Sequence, residues 1–188
     1  LMPERASIGF PETGIGIYPG LGGTQRLPRL IGKHLAKYLI FTGDIINAKL
    51  ASEMGLAELV FISNLNNQIK EIAKGPDPKA RMLKTIMSSA QTEKIRALFG
   101  DDKIDLLMTG KLANSSDVLE AQISKKVSYK APIALRLANK VIEDGLKGSL
   151  ENGIQMELAY LTEIFSTKDA YEGLTSILQK RRPVYKGQ

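Results

Sequence analysis

Glu12 is the sole acid in a stretch that otherwise carries six glycines and two prolines, Gly9-Phe-Pro-Glu-Thr-Gly-Ile-Gly-Ile-Tyr-Pro-Gly-Leu-Gly-Gly-Thr-Gln-Arg-Leu27. A carboxylic acid beside an apolar pocket has its pKa pushed toward neutrality and becomes useful for proton transfer. Glycines at this density let a backbone pass close to a ligand or take positive φ. A helix expected after Thr24 would present free N–H groups that can face an anion or a carbonyl oxygen. The same residues allow a structural reading, in which Glu12 caps the loop or pairs with Arg26.

Two phosphate-binding motifs come close and fail. Gly14-Ile-Gly16-Ile-Tyr-Pro-Gly20 is GxGxxxG where a dinucleotide fingerprint needs GxGxxG, and no acid closes a following strand about 20 residues on. A phosphate loop needs Lys then Ser or Thr after its last glycine, whereas Thr24 and Gln25 stand here. His34 is the only histidine and cysteine is absent. Disulfides and thiolate metal sites are thereby excluded, and a Ser-His-Asp mechanism or a transition-metal site is disfavoured. His34, beside Lys33 in a helical pattern, reads as structural or surface.

The glycine-rich stretch resembles the signature of the crotonase superfamily, the enoyl-CoA hydratases and isomerases. The matching residues are Gly9-Phe-Pro-Glu12, with Ile8 at the usual Phe, and Gly16-Ile-Tyr-Pro-Gly-Leu-Gly-Gly-Thr-Gln-Arg-Leu27. They continue as Leu39-Ile-Phe-Thr-Gly-Asp44, Ala48-Lys-Leu-Ala-Ser-Glu-Met-Gly-Leu56, and Tyr171-Glu-Gly173 with a basic tail. The resemblance covers about residues 6 to 65 and 127 to 188 and leaves the middle unexplained.

That resemblance implies an α/β fold: a truncated ββα spiral followed by a mostly helical C-terminal region. It places at Glu12 one of two catalytic glutamates, the proton donor to the substrate. At Gly20 it places the backbone N–H that helps hold the reacting water, where glycine would permit close approach. Lys180 falls near the CoA nucleotide, often reached from a neighbouring subunit, while Ile177 stands where relatives can stack an aromatic near adenine. No cofactor is implied, because the substrate arrives as a CoA thioester. Members of the superfamily begin with a longer half that carries the oxyanion-hole amides and the second glutamate. The 188 residues are therefore expected to be the C-terminal part of a longer polypeptide, inactive or nearly so alone. A hydratase joined to a hydroxyacyl-CoA dehydrogenase fits the middle insertion. An enoyl-CoA isomerase and a non-catalytic assembly fragment are the alternatives.

Composition agrees with an ordinary globular chain: 43% hydrophobic, 24% charged and 6% aromatic residues. The net charge of +6, from 26 basic and 20 acidic residues, reads as a solvated basic surface. Beyond Glu172 no acid follows, but Lys180, Arg181, Arg182 and Lys186 do, which suits a phosphate-bearing small molecule. No motif or basic-aromatic interleaving points to nucleic acid. No apolar run approaches the roughly 18 residues of a membrane helix, and Leu-Met-Pro-Glu-Arg is not a signal peptide, so a cytoplasmic location is expected.

Three segments are expected to position these residues: 1–74 as the crotonase core, 75–126 as a helical insertion, and 127–188 as the helical region that covers CoA and packs subunits into a trimer or dimer of trimers. A strand should end at Ala6 to Phe10, and a short helix should run through Leu27, Leu30 and Ile31 to Gly32. A second should span Lys33 to Thr42, stopped by Gly43, and a third Ala48 to Met54, capped by Asn47. Ala57 to Ile62 reads as the one clear strand, with a further helix from Asn64 or Asn66 to Lys74. Gly75-Pro-Asp-Pro78 marks a boundary. Beyond it, Met82, Leu83, Ile86, Met87, Ile95, Leu98, Phe99, Ile104, Leu107 and Met108 recur at helical spacing, the methionines as packing residues. Pro132 should start a helix that Gly145 ends. Ile154, Leu158, Leu161 and Phe165 form an apolar stripe on a long helix, facing the core or a subunit interface. A final helix should run from Leu174 to Arg181, broken by Pro183.

Overall fold

The computed structural model describes residues 1–75 and 89–188. The expected boundary from residue 76 onward and the apolar group at Met82 to Met87 lie outside the described residues.

Among the described residues, four short strands pair into two ribbons. Strand β1 (Met2–Pro3) runs parallel to β4 (Leu59–Val60), Met2 opposite Leu59 and Pro3 opposite Val60. Strand β2 (Ser7–Ile8) runs antiparallel to β3 (Ile46–Asn47), Ile8 opposite Ile46. The parallel pair needs a crossover, supplied by helices α1 (Gly23–Ile31), α2 (Lys33–Thr42) and α3 (Ala48–Glu53). The strand expected over Ala57 to Ile62 shortens to Leu59–Val60, because β1 offers only two residues to pair with. The chain is thus α/β, with helix dominating, as the fold reading expected.

Helix α2 is the centre of the core. Every residue from Leu35 to Thr42 is buried, and a helix wrapped on all sides needs no polar face. It ends at Gly43, which adopts φ 62° and donates its N–H to Leu39, the left-handed C-cap that glycine accepts without penalty. Its one buried cation, Lys37, reaches Glu143 Oε1 at 2.5 Å. Lys33 joins the same carboxylate and Asp101 at 2.7 Å. His34, half-buried on this helix, lies 3.9 Å from Asp101, a structural position as expected.

After helix α4 (Leu65–Lys74), described residues resume with α5 (Ala90–Leu98), α6 (Ile104–Met108) and α7 (Val118–Ser128). Ile95, Leu98, Phe99, Ile104, Leu107, Ile123 and Val127 enter the same core as α2. Phe99 stands edge-on to Tyr38 and Phe41, at centroid distances of 5.8 and 6.3 Å, so aromatic packing joins the middle segment to the central helix.

Helix α8 (Pro132–Gly145) begins at its proline and buries Ala134, Leu135, Leu137, Ala138, Val141 and Ile142. The expected long helix is instead two, α9 (Leu150–Ala159) and α10 (Leu161–Phe165), turned at Tyr160. Its apolar stripe enters the core only in part: Leu161 packs against it, but Leu158 is 44% and Phe165 52% exposed, while Glu157 and Ile164 are fully buried. The buried face is rotated by one residue from the hydrophobic one. Helix α11 (Lys168–Leu178), capped by Thr167, starts earlier than expected and ends before Arg181. Among the described residues no helix is long and apolar enough to cross a membrane.

Candidate functional site

Glu12 sits on a 3₁₀ turn, Pro11–Ile15, whose second residue is the only acid in that turn. Its backbone carbonyl accepts from the N–H groups of Gly16 and Ile17, so the loop is closed by main chain. The side chain is half-buried, and Oε2 is sequestered without a hydrogen-bond partner among the described residues. Burial raises its pKa above the ordinary glutamate value, opposed only by a backbone hydrogen bond. Arg26 does not pair with it, because its guanidinium donates instead to the carbonyl of Leu21 at 2.6 Å. A desolvated, unpartnered carboxyl oxygen is costly to keep and chemically suited to take or give a proton.

The turn is held from behind by α11. A Cβ at Gly16 would lie 2.3 Å from the carbonyl oxygen of Asp169, and Gly16 also has φ 85°; a Cβ at Gly173 would lie 2.1 Å from the carbonyl oxygen of Ile15. The two backbones cross at a distance only a glycine pair permits, which explains the Tyr171-Glu-Gly173 element. Gly173→Ala is expected to cost about 1–3 kcal/mol through forced backbone displacement, lowering Tm by roughly 2–10 °C. Thermal unfolding checks this, and an unchanged Tm would show that the crossing is loose.

The tail completes the clamp. Asp169 accepts from the N–H groups of Lys186 and Gly187 at 2.8 and 2.9 Å, and the Tyr185 hydroxyl donates to the carbonyl of Gly14 at 2.6 Å. Arg181, one of the four tail cations, is spent on a two-pronged pair with Glu172.

The amides at the start of α1 do not face a ligand. Glu157, fully buried on α9, accepts from Gly22 N–H at 2.6 Å, Thr24 N–H at 3.1 Å and the Thr24 hydroxyl. The carboxyl group of the chain's own Glu157 caps the helix dipole, correcting the expectation of an open anion site. This cap also explains why α1 begins at Gly23, well before Pro28, a position that forfeits one intrahelical bond. Gln25 donates to the Thr24 hydroxyl and to the Val141 carbonyl, and Arg29 donates to the carbonyls of Gly145, Gly148 and Ser149 at the end of α8. The Gly-Thr-Gln-Arg-Leu run therefore builds the frame rather than the chemistry. Glu157 was missed because hydrophobicity assigned its helix face to solvent; the available signal was an acid following Gly153 by four residues, one turn on along the same face.

Gly20 lies one turn away, its carbonyl accepting from Gly23 N–H at 3.0 Å. A Cβ there would meet no atom of this chain within 4 Å. Among the described residues, nothing crowds this position. Leu21, next to it, takes φ 56° and is 94% exposed. Lys180 is exposed, follows the end of α11 and has φ 52°. It stands seven residues beyond Gly173, past the end of α11.

These features are those of a crotonase fold. Two solved structures share it: a carnitinyl-CoA dehydratase from Mycobacterium thermoresistibile, with 21% identity and TM-score 0.70 over 97% of this chain and 55% of that one, and an enoyl-CoA hydratase from Rhodobacter sphaeroides 2.4.1, with 19% identity and TM-score 0.71 over 99% and 56%. All of residues 1–188 match the enoyl-CoA hydratase/isomerase family, and the chain belongs to that family. Among curated relatives, it is 30% identical to the short-chain-enoyl-CoA hydratase of Clostridium acetobutylicum over 95% of its own length and 49% of the relative's. It is 29% identical to the crotonyl-CoA hydratase of Syntrophomonas wolfei over 95% and 50%, and 31% identical to the mitochondrial methylglutaconyl-CoA hydratase of Mus musculus over 98% and 44%. The chain spans about half the length of these relatives.

Proposed function

We propose that the intact protein adds water across the 2,3 double bond of an enoyl-CoA, as in fatty-acid β-oxidation. Hydration places hydroxyl on the β carbon and hydrogen on the α carbon. In this reading Glu12 delivers the α proton, the Gly20 N–H orients the water, and Lys180 meets the CoA phosphates, from a neighbouring subunit in a trimer or dimer of trimers. The observation that carries it is the buried, unpartnered Oε2 of Glu12 with its raised pKa. The open flank at Gly20 and the hydratase names of the relatives support it.

The oxyanion amides, commonly worth a few kcal/mol each, and a second glutamate belong in this reading to sequence outside these 188 residues, with 75–126 an insertion between the core at 1–74 and the helical region at 127–188. A fusion to a hydroxyacyl-CoA dehydrogenase and a cytoplasmic location complete the proposal. The full-length protein should turn over 2-enoyl-CoA to 3-hydroxyacyl-CoA, seen as loss of the conjugated thioester absorbance, while the isolated chain should not. Absence of turnover in the full-length protein, or robust turnover by the fragment, overturns this.

An isomerase reading has one observation of its own: Glu12 is a lone carboxyl group in its loop, and one carboxyl group suffices to shuttle a proton between two carbons. Conversion of a 3-enoyl-CoA to the 2-enoyl isomer without hydration would favour it.

A further inference from the structure

Leu21 carries two costs that nothing in the described chain offsets. Its φ of 56° lies in the left-handed region, where a bulky side chain crowds its own backbone. Its isobutyl group is 94% exposed, so no packing compensates. The conformation is nonetheless enforced: Arg26 Nη1 holds the Leu21 carbonyl at 2.6 Å, and Glu157 holds the next N–H, that of Gly22, at 2.6 Å. Strained residues held from both sides cluster at ligand clamps. On its other side stands Gly20, whose flank is open. An exposed apolar side chain fixed at the lip of an open flank offers a contact to hydrocarbon.

We propose that Leu21 is a specificity-determining residue that covers the hydrocarbon of the acyl group, favouring longer chains over acetyl or crotonyl. This rests on reading the Glu12 loop as the acyl-CoA site. Each methylene buried against it contributes about a fourfold gain in affinity, and truncation should remove one to two such contacts.

The test compares full-length wild type, Leu21→Ala and Leu21→Gly for binding of acetyl-CoA and octanoyl-CoA by calorimetry, alongside turnover of crotonyl-CoA. Wild type should prefer octanoyl-CoA, and both variants should reduce that preference about tenfold. Tm should not fall by more than about 3 °C, since the proposal gives the side chain no packing partner but the ligand and glycine relieves the left-handed strain. An unchanged octanoyl-to-acetyl ratio with normal crotonyl-CoA turnover overturns the role of Leu21 alone. Equal weakening of both ligands with a Tm loss near 10 °C also overturns it, assigning Leu21 to packing against the remainder of the polypeptide. A wild-type protein that binds neither acyl-CoA overturns this inference together with the acyl-CoA reading beneath it.

Discussion

Glu157→Ala should lower Tm by about 10 °C or more, the largest stability loss of any single side-chain truncation considered. The substitution removes the only acceptor among the described residues for three buried donors, the N–H groups of Gly22 and Thr24 and the Thr24 hydroxyl. Each buried donor left unpaired costs about 1–3 kcal/mol, and partial access of water brings the sum to about 3–5 kcal/mol, a large share of a typical total of roughly 5–15. At this chain length each kcal/mol is worth about 2–4 °C.

Glu157→Gln separates capping from packing. All three partners are donors, so one half of the amide must turn its NH₂ toward another donor, and about half the loss should remain. If alanine and glutamine cost the same, the effect is volume and not hydrogen bonding. If neither moves Tm by more than about 2 °C, the cap does not hold α1. The consequence for function follows from connectivity, because Gly22 is separated from Gly20 only by Leu21. Loosening it frees the loop in which the proposed water-holding amide lies, and turnover should fall with stability.

Legibility in the sequence followed locality. The limits of α2 could be read from its punctuation, because Gly43 ends the helix through a bond to Leu39, only four residues back. Asn47 likewise caps α3 by accepting from Leu50 N–H at 2.9 Å, and Pro132 opens α8 by its own fixed φ. Each signal acts within one helical turn, so it is written beside its effect. The start of α1 is set by Glu157, more than 130 residues away, and no local rule announces it. Strand β3 escaped because its two residues are defined by pairing with Ser7 and Ile8, not by propensity.

The core alternative for the stripe Ile154, Leu158, Leu161 and Phe165 holds only in part, for a related reason. A side chain's polarity reports its average preference, but Gly145 and Gly153 leave room for Gln25 between α8 and α9, and this polar frame takes the inner face. Leu158 and Phe165 are turned outward, while Leu161 still packs against the core. Within the site, Glu12 stood out by being a solitary acid among glycines. The same pattern offered no means of learning that Gly16 and Gly173 serve one backbone crossing, since their closeness depends on the path of α11.

Glu12→Gln in the full-length protein should reduce turnover by about 10²–10⁴-fold, the usual contribution of a positioned general acid or base, while leaving the fold intact or firmer. Burial raises the pKa of Glu12 in the folded state above its ordinary value of 4.5. Protonation is therefore favoured by folding. This linkage stabilises the protein fully below the unfolded value and is lost as pH rises through the folded one. Above that point wild type holds a desolvated charge that the amide variant lacks. The variant's Tm should thus equal or exceed that of wild type at pH 7, and the gap should close toward pH 4. A fall in turnover with this pattern separates chemistry from scaffolding, because a carboxyl group that served structure would lower Tm when replaced. Unchanged turnover would remove Glu12 from the reaction whatever its pKa. Lost turnover with a Tm drop at neutral pH would make it a structural residue of the turn, and the buried Oε2 would then need a partner from the rest of the polypeptide.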